Sequence, residues 1–330
     1  MLSDPTHLKL AFKALRMWAT EQPLHHSLTP AEREFMARRR IETAFEDFNA
    51  PSPFQRLYRD VFACQMAAAT ALRKDLKAIG VPSRLYKGAA VVEQMLGGEP
   101  FSVMRDVDLV VPPDCAAKAR AVLRHHGFHQ SDFDLETRSL RDTDARRVAA
   151  YEAASYELYA FSRIERVALP SALADCPQLW QRAPIWHDGD SVLVLVTVDV
   201  HVRAAEDILA EYLWRGTKEH SFIDRSVEAW LLATRYYLDL VRQKKRPILR
   251  DLFYLTRLLP QVDIGQCLEL ADRHDTLPAF YYTYNFLQAA GMPVDPLPPD
   301  ILLKGNRKND FGWQYGKLTG TLDASPSLAA

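Results

Sequence analysis

The chain is expected to fold as an α/β (α+β) protein, with a mixed-sheet core, helices before it and a helical domain after it. Between Arg84 and Gly127 short apolar runs alternate with helix-forming stretches, the signature of strands and helices packed in layers. Ser191 to Arg203 alternates strictly, with Val192, Val194, Val196, Val198, Val200 and Val202 on one face of a strand. Beyond residue 204 the strand signal stops and one helical stretch follows another. These shifts divide the chain into an N-terminal helical layer (1–80), a core (81–203), a helical domain (204–292) and a Pro-rich, polar tail (293–330).

Taken in order, Leu8 to Trp18 reads as an amphipathic helix, and Pro30 opens a second, Ala31 to Phe48, that Pro51 and Pro53 break. Leu57, Val61, Ala68, Leu72, Leu76 and Ile79 recur at three- and four-residue intervals, so Pro53 to Gly80 is one long helix with an apolar stripe. Arg84-Leu85-Tyr86 forms a short strand, Lys87-Gly88 a turn, and Ala89 to Leu96 a helix that stops at Gly97-Gly98. Met104 to Val111 is an apolar strand. Pro112-Pro113-Asp114 ends it and caps a helix from Ala116 to His126, closed by Gly127.

Asp132 to Arg147 is strongly charged and reads as a loop or an exposed helix. Tyr156 to Ile164 alternates as a strand, and Glu165 to Asp190, with three Pro and two Trp, reads as an inserted loop. The strands Met104 to Val111, Tyr156 to Ile164 and Ser191 to Arg203 are expected as neighbours in one sheet. Helices are then expected over Glu206 to Arg215, Phe222 to Gln243, Leu249 to Leu259, Gly265 to His274 and Pro278 to Ala290.

Composition narrows the chemistry. A net charge of −1, from 41 basic and 42 acidic residues, provides no overall basic field, so long nucleic acid is not an expected partner. Cys64, Cys115, Cys176 and Cys267 are dispersed and make no C-x-x-C pair, which points to reduced thiols. No continuous apolar stretch approaches the roughly 18–20 residues that span a bilayer, and the expected compartment is the cytoplasm. P-loop, dinucleotide-binding and hydrolase-elbow motifs (G-x-x-x-x-G-K-[ST], G-x-G-x-x-G, G-x-S-x-G) are all missing from the sequence.

Two acids stand in an apolar strand. Asp106 and Asp108 lie two residues apart and so share a face, with Cα atoms roughly 6.5–7 Å apart. Like charges so placed call for a cation, and Mg²⁺ prefers carboxylate oxygen. Gly88 sits at a helix N-terminus, where free N–H groups and the helix dipole favour an anion and glycine lets a phosphate approach. On the later strand Asp199, His201 and Arg203 share the face opposite the valines, where a third carboxylate can meet the first two. His125, His126 and His129 read as a solvated cluster at a helix end. Lys244, Lys245, Arg246 and Arg250 read either as a triphosphate contact or as a solvated helix end.

Lys87-Gly88, a helix, Arg105-Asp106-x-Asp108 and, downstream, Val198-Asp199-Val200-His201 together resemble the uncharacterised nucleotidyltransferase family of the DNA polymerase beta-like superfamily. There a K-G turn, an R-x-x-D-[IV]-D-L segment and a downstream V-D-x-H strand recur in this order. The likeness covers roughly Ser83 to Arg203; the Glu165 to Asp190 stretch exceeds the shorter connection of the family.

The resemblance implies transfer of an NMP group from an NTP, ATP foremost, to an acceptor, with release of pyrophosphate. It implies Mg²⁺ or Mn²⁺ held by Asp106, Asp108 and Asp199, with Asp199 also able to take the acceptor's proton. Lys87 and Gly88 would hold the phosphates, Arg105 would bind substrate, and His201 and Arg203 would either support the metal-binding carboxylates or bind substrate. A small molecule, peptide, protein or tRNA end would suit as acceptor. Two other readings stay open: a non-catalytic nucleotide-binding or scaffold protein on the same fold, and a phosphotransferase using ATP.

Overall fold

In the computed structural model of the protein, residues 5–20, 26–47, 49–134, 136–176, 184–205, 208, 209, 214, 221–237 and 248–297 are described. Contacts divide the chain into two compact units: Pro51–Asp224, and Met1–Ala50 together with Arg225–Ala330. Helices α1 (Pro5–Ala19) and α2 (Pro30–Arg38) open the second of these. Pro30 stands at the first turn of α2, and Thr29 with Glu32 forms a reciprocal capping box. The helix ends at Arg38, well short of the expected Phe48.

The unit from Pro51 is built around α3 (Pro53–Ala78), which Ser52 caps by accepting from the Gln55 N–H. Its stripe of Leu57, Val61, Ala68, Leu72 and Leu76 is buried. Next come β1 (Arg84–Leu85), α4 (Lys87–Met95), β2 (Val107–Val110), α5 (Ala116–His125), β3 (His129–Asp134), β4 (Ser139–Asp142), α6 (Ala145–Ala154), β5 (Phe161–Ala168), β6 (Ile185–Asp188) and β7 (Ser191–His201). The sheet runs in the order β1-β2-β7-β5-β3-β4, and β6 also pairs with β7. The β2–β7 pair is parallel and its other ladders are antiparallel, so the sheet is mixed, as expected.

β7 is the spine of this sheet. One of its edges carries β5 from Ser191 to Val198; the other carries β6 over Ser191 to Val194 and β2 over Val198 to His201. Val192, Val194, Val196, Val198 and Val200 are all buried, while Leu195, Thr197 and Asp199 on the opposite face are half-buried. α3 packs against β2, β5 and β7.

Several expectations need correction. The strand placed at Tyr156 to Ile164 runs instead over Phe161–Ala168, because its partner β7 continues to Ser191 and pairing extends with it. The stretch read as a loop therefore includes the end of β5, a 3₁₀ turn at Ser171–Leu173 and β6, with residues 177–183 outside the described part. The charged stretch near Asp132 forms the β3–β4 hairpin before α6. Strand structure also continues past residue 203: β8 (Arg203–Ala205) pairs with β9 (Ile208–Leu209) where a helix was expected, and most of 206–220 lies outside the described residues.

The helical unit continues with α7 (Arg225–Tyr237), α8 (Leu249–Leu258), α9 (Ile264–Arg273) and α10 (Leu277–Ala289), close to the expected spans, with residues 238–247 outside the described part. α1 packs on α8, and the Arg250 N–H donates to the Arg39 carbonyl at 3.4 Å. Contacts set the limits of the two units at residues 50 and 224. The four cysteines form no disulfide. Among the described residues no helix is long and apolar enough to cross a membrane.

The α3 stripe supports a direct check on packing. Leu72 is fully buried, and truncating a core Leu to Ala costs about 2–5 kcal/mol, whereas a surface substitution stays within about 0.5 kcal/mol. Leu72→Ala is therefore expected to lower the denaturant midpoint strongly and Ile79→Ala, whose side chain is exposed, hardly at all. Comparable losses in chemical denaturation would contradict this placement of the stripe.

Candidate active site

The parallel register of β2 and β7 pairs Asp108 with Asp199. Paired residues project from the same face, and so do residues two apart on one strand, so Asp108, Asp199 and His201 share one side of the sheet. The chain entering β5 extends that row: Glu157 pairs with His201 across β7, between the bonds Leu158 N–H to Val200 O (2.9 Å) and Val202 N–H to Tyr156 O (3.1 Å). Three adjacent chains thereby bring acids to one surface. Asp106, half-buried, lies two residues before Asp108.

The approach to this row is pinned from two sides. The buried Gln65 amide on α3 donates to the Met104 carbonyl at 2.9 Å, two residues ahead of Asp106. The Tyr86 N–H donates to the Asp108 carbonyl at 3.3 Å, tying the turn before α4 to β2. Gly88 is buried in the first turn of α4, and no side chain caps that helix end. Its leading N–H groups are the kind that receive an anion.

Lys87 enters α4 at φ +57°, a left-handed conformation that costs a non-glycine residue on the order of 1–3 kcal/mol. The turn directs its ammonium into the acidic row, 2.7 Å from Asp108 Oδ1 and 3.3 Å from His201 Nε2, and over the Tyr86 ring. A charge-assisted contact of this kind contributes about 1.5–3 kcal/mol, enough to offset the backbone strain.

His201 is completely buried between the edge of Tyr86 and the stacked ring of Tyr156. Burial, aided by the nearby Lys87 charge, lowers its pKa to about 4, so the ring is neutral at physiological pH. A neutral ring carries one N–H. Nε2 lies 2.9 Å from Asp108 Oδ1, whereas Nδ1 is 3.4 Å from Glu157 Oε2 without hydrogen-bond geometry. Donation to Asp108 is the better contact. Of the two roles expected for His201, supporting a carboxylate or meeting substrate, its burial and its contact with Asp108 favour the first.

Asp199 reports the electrostatics of the whole row. Burial pushes its carboxyl well above the usual range, and Asp106, Asp108 and Glu157 push it further, against the opposing pull of Lys87. The row is thus short of positive charge. Among the described residues no three His, Cys, Asp or Glu side chains form a ready-made metal cage. The paired carboxylates nevertheless fit Mg²⁺ in the way it commonly binds, through one or two carboxylates completed by substrate phosphates and water.

The remaining candidates scatter. Arg105 is exposed beside Asp106, and the side chain of Arg203, on β8, lies outside the described residues. Lys244, Lys245 and Arg246 also lie outside them. Arg250 is buried in the helical unit and its guanidinium meets Asp251 at 3.3 Å, so it serves packing there rather than a phosphate. The histidines at the end of α5 lie toward the surface, as expected: the His125 and His126 rings are 5.8 Å apart, His126 meets Asp75 and His129 is near Asp142. Sequence reading missed Glu157, whose one signal was an acid at the start of an alternating stretch, and Tyr151, which only the fold brings to it.

Comparison with known proteins follows the same residues. The family described as uncharacterised nucleotidyltransferase matches residues 56–228, from the first turn of α3 through β7 to the start of α7. No curated protein and no solved structure matches the chain. The family match takes in over half of the chain and every residue of the acidic row, with Lys87 and Gly88. The chain belongs to the uncharacterised nucleotidyltransferase family.

Proposed function

We propose that this acidic row binds an NTP, ATP foremost, together with Mg²⁺ or Mn²⁺, and transfers its NMP group to an acceptor with release of pyrophosphate. The observation that carries the reading is the in-register pair Asp108 and Asp199, where burial and then the neighbouring acids raise the Asp199 carboxyl. Asp106, Asp108 and Asp199 would hold the divalent ions, which when bound neutralise charge on the phosphates and on the attacking and leaving oxygens. The α4 N-terminus at Gly88 would receive phosphate oxygens, with the Lys87 ammonium bordering both the helix end and the carboxylates. Asp199 would accept the proton of the acceptor hydroxyl. The acceptor is a small molecule, a peptide or a protein.

A second reading has its own observation. The Lys87 ammonium, 2.7 Å from Asp108 Oδ1, already provides one carboxylate with a cation, as it would in a nucleotide-binding or scaffold protein that has lost catalysis. The two readings differ in metal dependence. In the transferase, titrating Mg²⁺ or Mn²⁺ with each NTP raises the melting temperature, by the equivalent of about 2.7 kcal/mol at a hundredfold excess over Kd. Asp108→Asn and Asp199→Asn remove ligand charge at nearly constant volume and are expected to lose that shift, and transfer activity by orders of magnitude. No metal-dependent shift in the wild type, or full activity in Asp199→Asn, would favour the scaffold. A product heavier by one phosphate rather than by one nucleotide would instead identify an ATP-dependent phosphotransferase.

The cradle at α4 has a separate test. Gly88→Val crowds the backbone where phosphate would approach and is expected to abolish NTP binding by calorimetry, whereas Lys87→Ala weakens it by a few kcal/mol at most. Unchanged affinity in Gly88→Val would refute the cradle.

Asp199 also makes stability depend on pH. Its carboxyl holds a proton more tightly in the folded than in the unfolded chain, so between the ordinary value of 3.8 and the raised one the folded state carries the extra proton. Stability therefore falls as pH rises through that window. Without metal, the wild type is expected to lose more stability than Asp199→Asn between about pH 4 and pH 7. Parallel pH profiles of the two proteins would show that Asp199 is not so perturbed.

A further inference from the structure

Helix α6 buries none of its residues, yet its last turn delivers a side chain to the acidic row. Tyr151 is 38% exposed, and its hydroxyl donates to Glu157 Oε1. The other oxygen of Glu157 lies 3.4 Å from His201 Nδ1, and His201 reaches Asp108 through Nε2 at 2.9 Å. A hydroxyl that donates to a carboxylate is the arrangement of a nucleophile with its base. The neighbouring tyrosines are engaged differently. Tyr159, edge-on to Tyr151 at 5.3 Å, donates to Asp132, which leads out to Arg147 on the surface, and Tyr156 is stacked on His201.

Position supports the same reading. Through Glu157, which pairs with His201 two residues from Asp199 on β7, the Tyr151 hydroxyl lies beside the strand that carries the carboxylate assigned to the acceptor. Partial burial, then the bond to Glu157, holds the phenol's proton above its ordinary range, so the hydroxyl arrives protonated and needs a base beside it. Glu157 is that base, already in contact.

We infer that Tyr151 is itself a nucleotide acceptor, a self-modification site in which a phenolic hydroxyl of the protein takes the NMP group. This rests on the transferase reading and names the acceptor class for it. The Tyr151 oxygen attacks the α-phosphorus of the bound NTP and forms a tyrosyl phosphodiester bond. The α–β phosphoanhydride bond breaks, pyrophosphate leaves with its electron pair, and for this acceptor Glu157, already bonded to the hydroxyl, takes the phenolic proton in place of Asp199.

The test incubates the full chain with Mg²⁺ and ATP, GTP, CTP or UTP in turn, reads intact mass and modified peptides, and follows NTP-dependent melting in parallel. The wild type is expected to gain one nucleotide, mapped to Tyr151, and Tyr159→Phe to gain it equally. Tyr151→Phe gains none, and Glu157→Gln, which retains a hydrogen-bond acceptor without the base, is labelled about a hundredfold more slowly or less. Metal-dependent NTP stabilisation with Tyr151 unmodified, or a label that persists in Tyr151→Phe, overturns self-modification and leaves the transferase reading standing. An undiminished rate in Glu157→Gln overturns the proton route. Neither stabilisation nor label overturns both readings.

Discussion

The parallel pairing of β2 with β7 is the constraint on which the rest depends. Because β7 projects a residue to each face alternately, the register that seats Val198 and Val200 in the core also sets Asp199 beside Asp108. A slip by one residue would exchange the two faces. The hydrophobic demand of the valines therefore holds the carboxylates together despite their repulsion, which alone would separate them. Burial first, and then that repulsion, raises the proton affinity of Asp199.

That repulsion is tolerated because the surroundings are rigid. α3 fixes the approach to Asp106 through Gln65, the Tyr86 backbone grips Asp108, and two aromatic rings enclose His201. Lys87 contributes charge only by accepting a strained backbone. Packing, backbone bonding and strain thus maintain a concentrated negative potential, a feature of sites built for cations or transferring phosphoryl groups.

Much of this was legible from periodicity. The α3 stripe, the valine alternation and the two-residue spacing of Asp106 and Asp108 are local patterns, and local patterns survive into the fold. Cross-strand register is not local. The shift of β5 to Phe161–Ala168, the appearance of β6 within an assumed loop and the arrival of Glu157 opposite His201 all depend on where β7 ends, which no single segment encodes. The burial of His201 was hidden for a related reason: alternation puts it on the polar face, but the rings of Tyr86 and Tyr156 pack against it there.

The division of the chain at residues 50 and 224 bears on how the molecule is made. The sheet unit is one uninterrupted run and is complete as soon as its last residue leaves the ribosome. The helical unit is not: α1 emerges early with its apolar stripe of Leu8, Phe12 and Leu15, and its partner α8 follows only after the entire sheet unit. At translation rates of about 5–20 residues per second that interval is on the order of tens of seconds. During it the stripe is uncovered, and a folded sheet domain joined to a waiting hydrophobic segment is the nascent species a chaperone would meet.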